Sequence, residues 1–360
     1  MPPRGYDPQV ARFCWQNLQV DPAPTFPDPE VLCDDGAQEA IYERVFSDAV
    51  PLRPPPRYRV RILKELISRI ESAIQDWDQH VSGASCAQVP SEARSHTAVL
   101  TLATQGISDN LTLALSQLLS QPLPSETDAA QQRAYVIYHL SLLQPESTPA
   151  NPPHIDLLES RSLISASGTT GLRTWEAALH LGQYLCVNPS LVKNKRVLEL
   201  GAGTGYLAVL CAKHLGSGHV IATDGSDEVV NHLSDSFFLN GLQGSSTVSA
   251  MQLKWGHALV GPEWDEAGLD AVLGADITYD VSVIPALVAT LEDLARRFPG
   301  LSVLIAATER NRATFESFLG VCGKRGFAVS RESFPVPAGA EQDGPFYSDK
   351  SPVHICKLTR

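Results

Sequence analysis

No stretch of this 360-residue chain approaches the ~18 uninterrupted apolar residues that a membrane-spanning helix needs. Its opening residues, MPPRGYDPQ, lack the apolar core of a secretory signal. Neither membrane association nor export is therefore expected, and the chain reads as cytoplasmic. Basic residues are also scarce: 28 Lys and Arg against 40 Asp and Glu leave a net charge of −12. A nucleic-acid binder needs clustered cations to meet phosphates, so no direct nucleic-acid binding is expected and a basic or locally cationic partner fits better. The cysteines, Cys14, Cys33, Cys86, Cys186, Cys211, Cys322 and Cys356, are odd in number and scattered. That pattern excludes a disulfide framework and suits a reducing compartment. Cys211-x-x-His214 is the one ligand-like pair, and it lies in a helical pattern with no second pair, so no metal site is expected. No internal repeat is evident.

What is present is a large apolar fraction, 43%, enough for two cores. The pattern changes character near residue 150. Residues 1–150 read as a mostly helical domain, clearest in RYRVRILKELISRIESAIQDW, where Ile62, Leu63, Leu66, Ile67, Ile70, Ile74 and Trp77 recur at helical spacing. Further helices are expected in VARFCWQNL, AQEAIYERVF, NLTLALSQLL and AAQQRAYVIYHLSLL, separated by Pro- and Ser-rich pieces such as ASCAQVPSEARSH. QPESTPANPPH, 144–154, carries four prolines and reads as an interdomain linker. Residues 151–360 alternate β-like runs with helical patterns, the signature of an α/β domain with a mostly parallel sheet. HIDLLES and SLIS read as short strands, and GLRTWEAALHLGQYL as a helix. KRVLEL, HVIATD, STVSAMQLKW, LDAVLGAD, LSVLIAAT, FAVSRESF and SPVHICKL then give a Rossmann-like sheet of seven strands.

In such sheets, ligands sit at the carboxyl ends of strands where the strand order reverses. The turn after KRVLEL reads Glu199-Leu-Gly-Ala-Gly-Thr-Gly, and its glycines, Gly201, Gly203 and Gly205, let backbone approach a ligand closely. Asp224 ends the next strand, 21 residues after Gly203, where a carboxylate can hydrogen-bond a ribose. A dinucleotide fingerprint spaces its glycines as G-x-G-x-x-G and rests a pyrophosphate on the helix start. Here the glycines alternate and an acid stands two residues ahead of the first. Glu199 would repel a pyrophosphate but suits the cationic aminoacyl sulfonium of S-adenosylmethionine, so a methyltransferase is expected over a dehydrogenase. Trp175, ahead of the first core strand, and Trp255, in LKW, can stack on adenine or line the cleft, although a core tryptophan has the same pattern. Asp276 and Tyr279, in GADITYD at the end of the fourth core strand, stand where methyltransferases keep residues facing the transferred methyl. Asn151-Pro152-Pro153-His154 resembles the N-P-P-Y type motif of aminopurine and glutamine methyltransferases, but it precedes the first core strand rather than following the fourth.

Together, VLELGAGTG, LKW and GADITY resemble the seven-β-strand methyltransferase family 16. LISASGTTGLRTWEAAL, 163–179, is similar to the elongation factor 2 lysine methyltransferases within it, as are KELISRIE and the tail FYSDKSPVHICKLT. The resemblance implies cofactor contacts at Trp175, at Gly201, Ala202 and Gly203, at Trp255 and at Ala275, with Asp224 as the ribose acid. It also implies elongation factor 2 as the protein partner. The chain departs from the family's pattern in an extra residue before GTTG and in Thr278.

The implied reaction aligns a neutral amine with the methyl and excludes water. Lysine has a free pKa near 10.4, so presenting its neutral form costs roughly 4 kcal/mol unless the site lowers that value. No dedicated base is named: Asp276 and Tyr279 are expected to orient the amine, with the proton leaving through water. Residues 1–150, with Arg53, Arg57, Arg59, Arg61, Lys64 and Arg69 in one short stretch, are expected to recognise the substrate. Two alternatives stay open: a methyltransferase of another cytoplasmic protein, and a non-catalytic binding module on the same fold.

Overall fold

The computed structural model describes residues 7–83, 106–125, 128, 132–143, 152–160, 170–259, 261 and 268–360, with the backbone alone for 77–83. They group into two compact units, Met1–Ala130 and Gln131–Arg360.

The first unit is helical. Helices Pro8–Leu18, Asp35–Ile41, Pro56–Gly83 and Asp109–Ser120 enclose a core of Phe13, Ile41, Leu63, Leu66, Ile70 and Leu111. Asp7 caps the first of these, its carboxylate accepting from the backbone N–H of Gln9 at 2.7 Å, and Pro8 fits the first turn because its missing N–H has no partner there. The apolar stripe of Pro56–Gly83 is buried as the spacing predicts from Ile62 to Ile70 and half-buried at Ile74; the side chain of Trp77 lies outside the described residues. The arginines of its first turns do not form one face. Arg57 donates to the carbonyl of Pro124, Arg59 to that of Phe46 at 2.9 Å, and Arg61 to that of Pro22 at 2.9 Å. Each guanidinium fastens a different segment of the chain to the helix.

In the second unit, strands β1 (Arg133–His139) and β2 (His154–Ser160) form an antiparallel pair. The seven-stranded sheet is built from β3 (Arg196–Leu200), β4 (His219–Asp224), β5 (Val248–Gln252), β6 (Ala271–Ala275), β7 (Ser302–Thr308), β8 (Ala328–Arg331) and β9 (Val353–Thr359). Its order is β5-β4-β3-β6-β7-β9-β8, parallel through β7, with β9 antiparallel to both of its neighbours. The chain runs outward through β4 and β5 on one side of β3 and returns to β6 on the other, so the switch point lies between β3 and β6. Leu198, Val272, Ile305, Leu287, Leu291 and Phe318 lie in one core of sheet and helix residues. The expected α/β class, Rossmann-like with seven strands, is the one observed.

Two expectations differ. AAQQRAYVIYHLSLL is not a helix: its centre is β1, with Ala134, Val136 and Tyr138 buried and Tyr135 exposed. The period of two and the β-branched and aromatic content decide for a strand, given a partner to pair with. That partner is β2, so the proline-rich stretch 144–154 joins two paired strands, and the division between units falls at 130 rather than near 150. The expected strand SLIS and the piece ASCAQVPSEARSH lie outside the described residues.

Candidate active site

A cavity of about 540 Å³ opens at the carboxyl ends of β3, β4 and β6, at the switch point. Its floor is the turn after β3. Gly201, Gly203 and Gly205 adopt φ of 65°, 54° and 82°, a left-handed backbone that side chains with a Cβ disfavour. Space opposes a side chain as well: a Cβ on Gly201 would stand 2.6 Å from the Ile277 side chain, and one on Gly203 would stand 3.1 Å from the carbonyl of Gly171. The turn is tied to β4 by Ala202 N–H donating to Thr223 O at 2.8 Å and Gly203 N–H donating to Asp224 Oδ2 at 3.3 Å.

The walls carry the expected residues: Trp175, Glu199, Gly201, Ala202, Gly203, Asp224, Trp255, Ala275, Asp276 and Tyr279 all line this one cavity. Trp255 does so from a loop, since β5 ends at Gln252. Trp175 precedes the helix Glu176–Val187, donates its indole N–H to Thr170 O at 3.1 Å, and lies under the guanidinium of Arg310 at 5.0 Å.

Three polar atoms of this wall have no hydrogen-bond partner among the described residues. Glu199 is 3% exposed, and its Oε2 is buried without a hydrogen bond, as are the indole Nε1 of Trp255 and the hydroxyl of Tyr206. Burial lifts the Glu199 carboxyl to about 8; an N–H donor at Ala208 opposes the rise, and the nearby Asp224 adds to it. Burial also raises Asp224, while N–H groups of Ser226, Gly203 and Gly225 hold it down. A buried acceptor without a donor is costly in an apolar setting. A cation seated in the cavity would supply what Glu199 lacks.

Asp276 is placed differently. It is 8% exposed, with φ 52°, at the end of β6. Its carboxylate accepts from the N–H of Ala177 at 3.3 Å, from Thr308 N–H and Oγ1 at 3.0 Å each, and from Arg310 Nη2 at 3.3 Å. Burial weakens the charge of Arg310, but Asp276 and Glu176 outweigh it and hold the guanidinium protonated. The carboxylate expected to orient an amine thus joins β6, β7 and the helix Glu176–Val187. Tyr279, 62% exposed, stands at the rim.

Arg310, Thr174 and Thr204, which sequence reasoning passed over, complete the wall, and Glu159 supports it from behind. Arg310 follows β7, in TERNRA, with no spacing to mark it. Glu159, in β2, accepts from Tyr138 OH at 2.8 Å and Thr174 Oγ1 at 2.6 Å, and Thr174 Oγ1 is 2.7 Å from Thr204 Oγ1 of the glycine turn. An acid inside the apolar strand HIDLLES is the signal that could have found this chain of bonds.

The sequence has counterparts in known proteins. A family profile described as lysine methyltransferase matches residues 162–323. The chain belongs to that family and is a methyl-transferring enzyme. Among individual proteins, it is 60% identical over 359 residues to the protein-lysine N-methyltransferase EFM3 of Chaetomium thermophilum, covering 98% of both chains. It is 35% identical over 188 residues to EFM3 of Saccharomyces cerevisiae, covering 48% of this chain and 54% of that one. To the human protein-lysine N-methyltransferase EEF2KMT it is 34% identical over 186 residues, covering 48% and 55%.

Proposed function

We propose that this enzyme transfers a methyl group from S-adenosylmethionine to a lysine of elongation factor 2, in the cytoplasm. The observation that carries the choice of donor is the orphaned Glu199 Oε2 beside a turn of three left-handed glycines. It is a site for a ligand that is cationic near the turn and bulky enough to fill the cavity. When bound, S-adenosylmethionine supplies an electrophilic methyl on a sulfonium. Glu199 would face its cationic aminoacyl end, Asp224 its ribose hydroxyls, and Trp175 and Trp255 its apolar surface, with backbone from Gly201 to Gly203 in close contact. The substrate assignment draws on the protein-lysine N-methyltransferase relatives and on elongation factor 2 in the abbreviated name of the human one.

The chain's own groups then divide the work. Tyr279 flanks the incoming side chain at the rim. Asp276, filled by four donors, positions the wall rather than accepting the amine proton, and Glu199 is buried at the turn. The proton of the lysine ammonium therefore leaves to water at the open side, assisted by the positive charge of Arg310 and by the apolar faces of Trp175 and Tyr279. Residues 1–150 supply the surface that distinguishes one protein from another, because a single lysine side chain offers little to read. Purified elongation factor 2 incubated with the enzyme and methyl-labelled S-adenosylmethionine should gain label on one lysine. Label appearing on another protein of a cell extract, and not on elongation factor 2, would replace the substrate while keeping the chemistry.

A further inference from the structure

The helical unit holds a second cavity, of about 330 Å³, walled by Phe46, Asp48, Arg53, Arg59, Gln117 and Gln121 and floored by Ala114, Leu118 and prolines. Arg59 is 8% exposed, so its charge is almost wholly out of water. One of its donors goes to Phe46 O, but its Nε–H is buried with no hydrogen-bond partner among the described residues. A second guanidinium, that of Arg53, lines the same space and is paired with Asp48. Burial weakens the hold of Arg59 on its proton, the repulsion from Arg53 weakens it further, and Asp48 offsets only part of this. Two cations and one anion thus share a cavity, and the most deeply buried cation has an open donor. A buried guanidinium of this kind is costly without a counter-charge.

We propose that this cavity is a binding site for a carboxylate attached to a small apolar group. The guanidiniums of Arg59 and Arg53 and the amides of Gln117 and Gln121 can meet a planar oxyanion. Phe46, Leu118, Pro54 and Pro56 offer apolar surface that a free inorganic ion would leave unused. The carboxylate comes either from a free small acid or from the acidic side chain or terminus of the protein substrate.

The test uses the full chain, N-acetylleucine as probe, and the side-chain resonance of Arg59 Nε–H together with calorimetry. Saturable binding is expected that weakens with salt, is absent for N-acetylleucinamide, and falls at least tenfold in Arg53→Gln, a half-exposed position whose loss leaves the core intact. No saturable binding of N-acetylleucine, equal binding of the neutral amide, or binding of inorganic phosphate alone would each overturn the proposal. These readouts do not involve methyl transfer, so they stand apart from the proposed function. In the methylation assay, N-acetylleucine raises the KM for the protein substrate without changing kcat if the carboxylate belongs to that substrate. If the ligand is a free acid, KM is unaffected.

Discussion

The two cavities each present one buried ionisable side chain with an unused bond, an acid in one and a guanidinium in the other, and they differ in origin. Glu199 belongs to a seven-residue motif: strand end, acid and glycines are contiguous, so the acid and its turn are a local consequence of sequence, although the cavity's other walls come from separate segments between 170 and 310. Arg59 acquires its setting from pieces 46–59 and 114–121, brought together by helix packing. A site written in one turn is legible before folding, whereas one assembled from separate helices is not. The two should also respond oppositely: the first selects cations and the second anions.

Removing one cavity entirely is the strongest way to test that division. A chain starting at Gln131 lacks the helical unit and keeps β1. It should bind S-adenosylmethionine with little change yet methylate elongation factor 2 poorly. A chain starting at Asn151 also lacks β1, leaves β2 unpaired, and should be insoluble or unfolded, as circular dichroism would show. Full activity of the Gln131 chain on the intact substrate would remove the helical unit from recognition.

Gly203→Val breaks the first cavity alone. The left-handed φ and the nearby carbonyl of Gly171 strain and crowd the side chain, so calorimetric binding of S-adenosylmethionine should vanish. N-acetylleucine binding should persist; loss of both would mean a misfolded protein.

The sign of the first cavity is tested by pH. With Glu199 near 8 in the empty site, a bound cation favours its ionised form. S-adenosylmethionine affinity should therefore rise about tenfold per pH unit, up to roughly 100-fold, from pH 6 to pH 8, and then level. Stability runs the other way. The folded-state value exceeds the ordinary 4.5, so the folded protein holds a proton that the unfolded chain releases. Stability should fall as pH climbs from about 4.5 to about 8, by on the order of a few kcal/mol. Glu199→Gln should flatten both curves; an unchanged profile would sink the assignment.

Smaller effects follow. Asp224→Ala should lower S-adenosylmethionine affinity by about 1.5 to 3 kcal/mol through loss of charge-assisted hydrogen bonds, read by calorimetry. Asp276→Asn keeps the shape of the wall but weakens its tie to Arg310. Turnover should drop about tenfold with affinity nearly unchanged, and equal losses in both would assign Asp276 to the donor.

Much of the α/β unit was readable in advance because strands and turns carry local signals. HVIATD is β4 residue for residue, and the ten residues singled out for the site all line one cavity. Failures came where tertiary pairing decided. β1 had a helical environment in sequence and found a strand partner beyond the prolines. Among the clustered arginines, three reach carbonyls of different segments, partners that no spacing in the sequence announces. Asp276 stood in the right place, but only folding shows that four donors already occupy its carboxylate.

The position of β9 bears on how errors in synthesis would be handled. Val353–Thr359 is not at the margin of the sheet but lies between β7 and β8. A message that stopped short of Val353 would release a product whose β7, SVLIAAT, displays an unpaired, almost wholly apolar edge. Such an edge invites pairing with other chains. Premature termination near the end would thus yield a sticky species suited to capture by chaperones, rather than a slightly shortened enzyme.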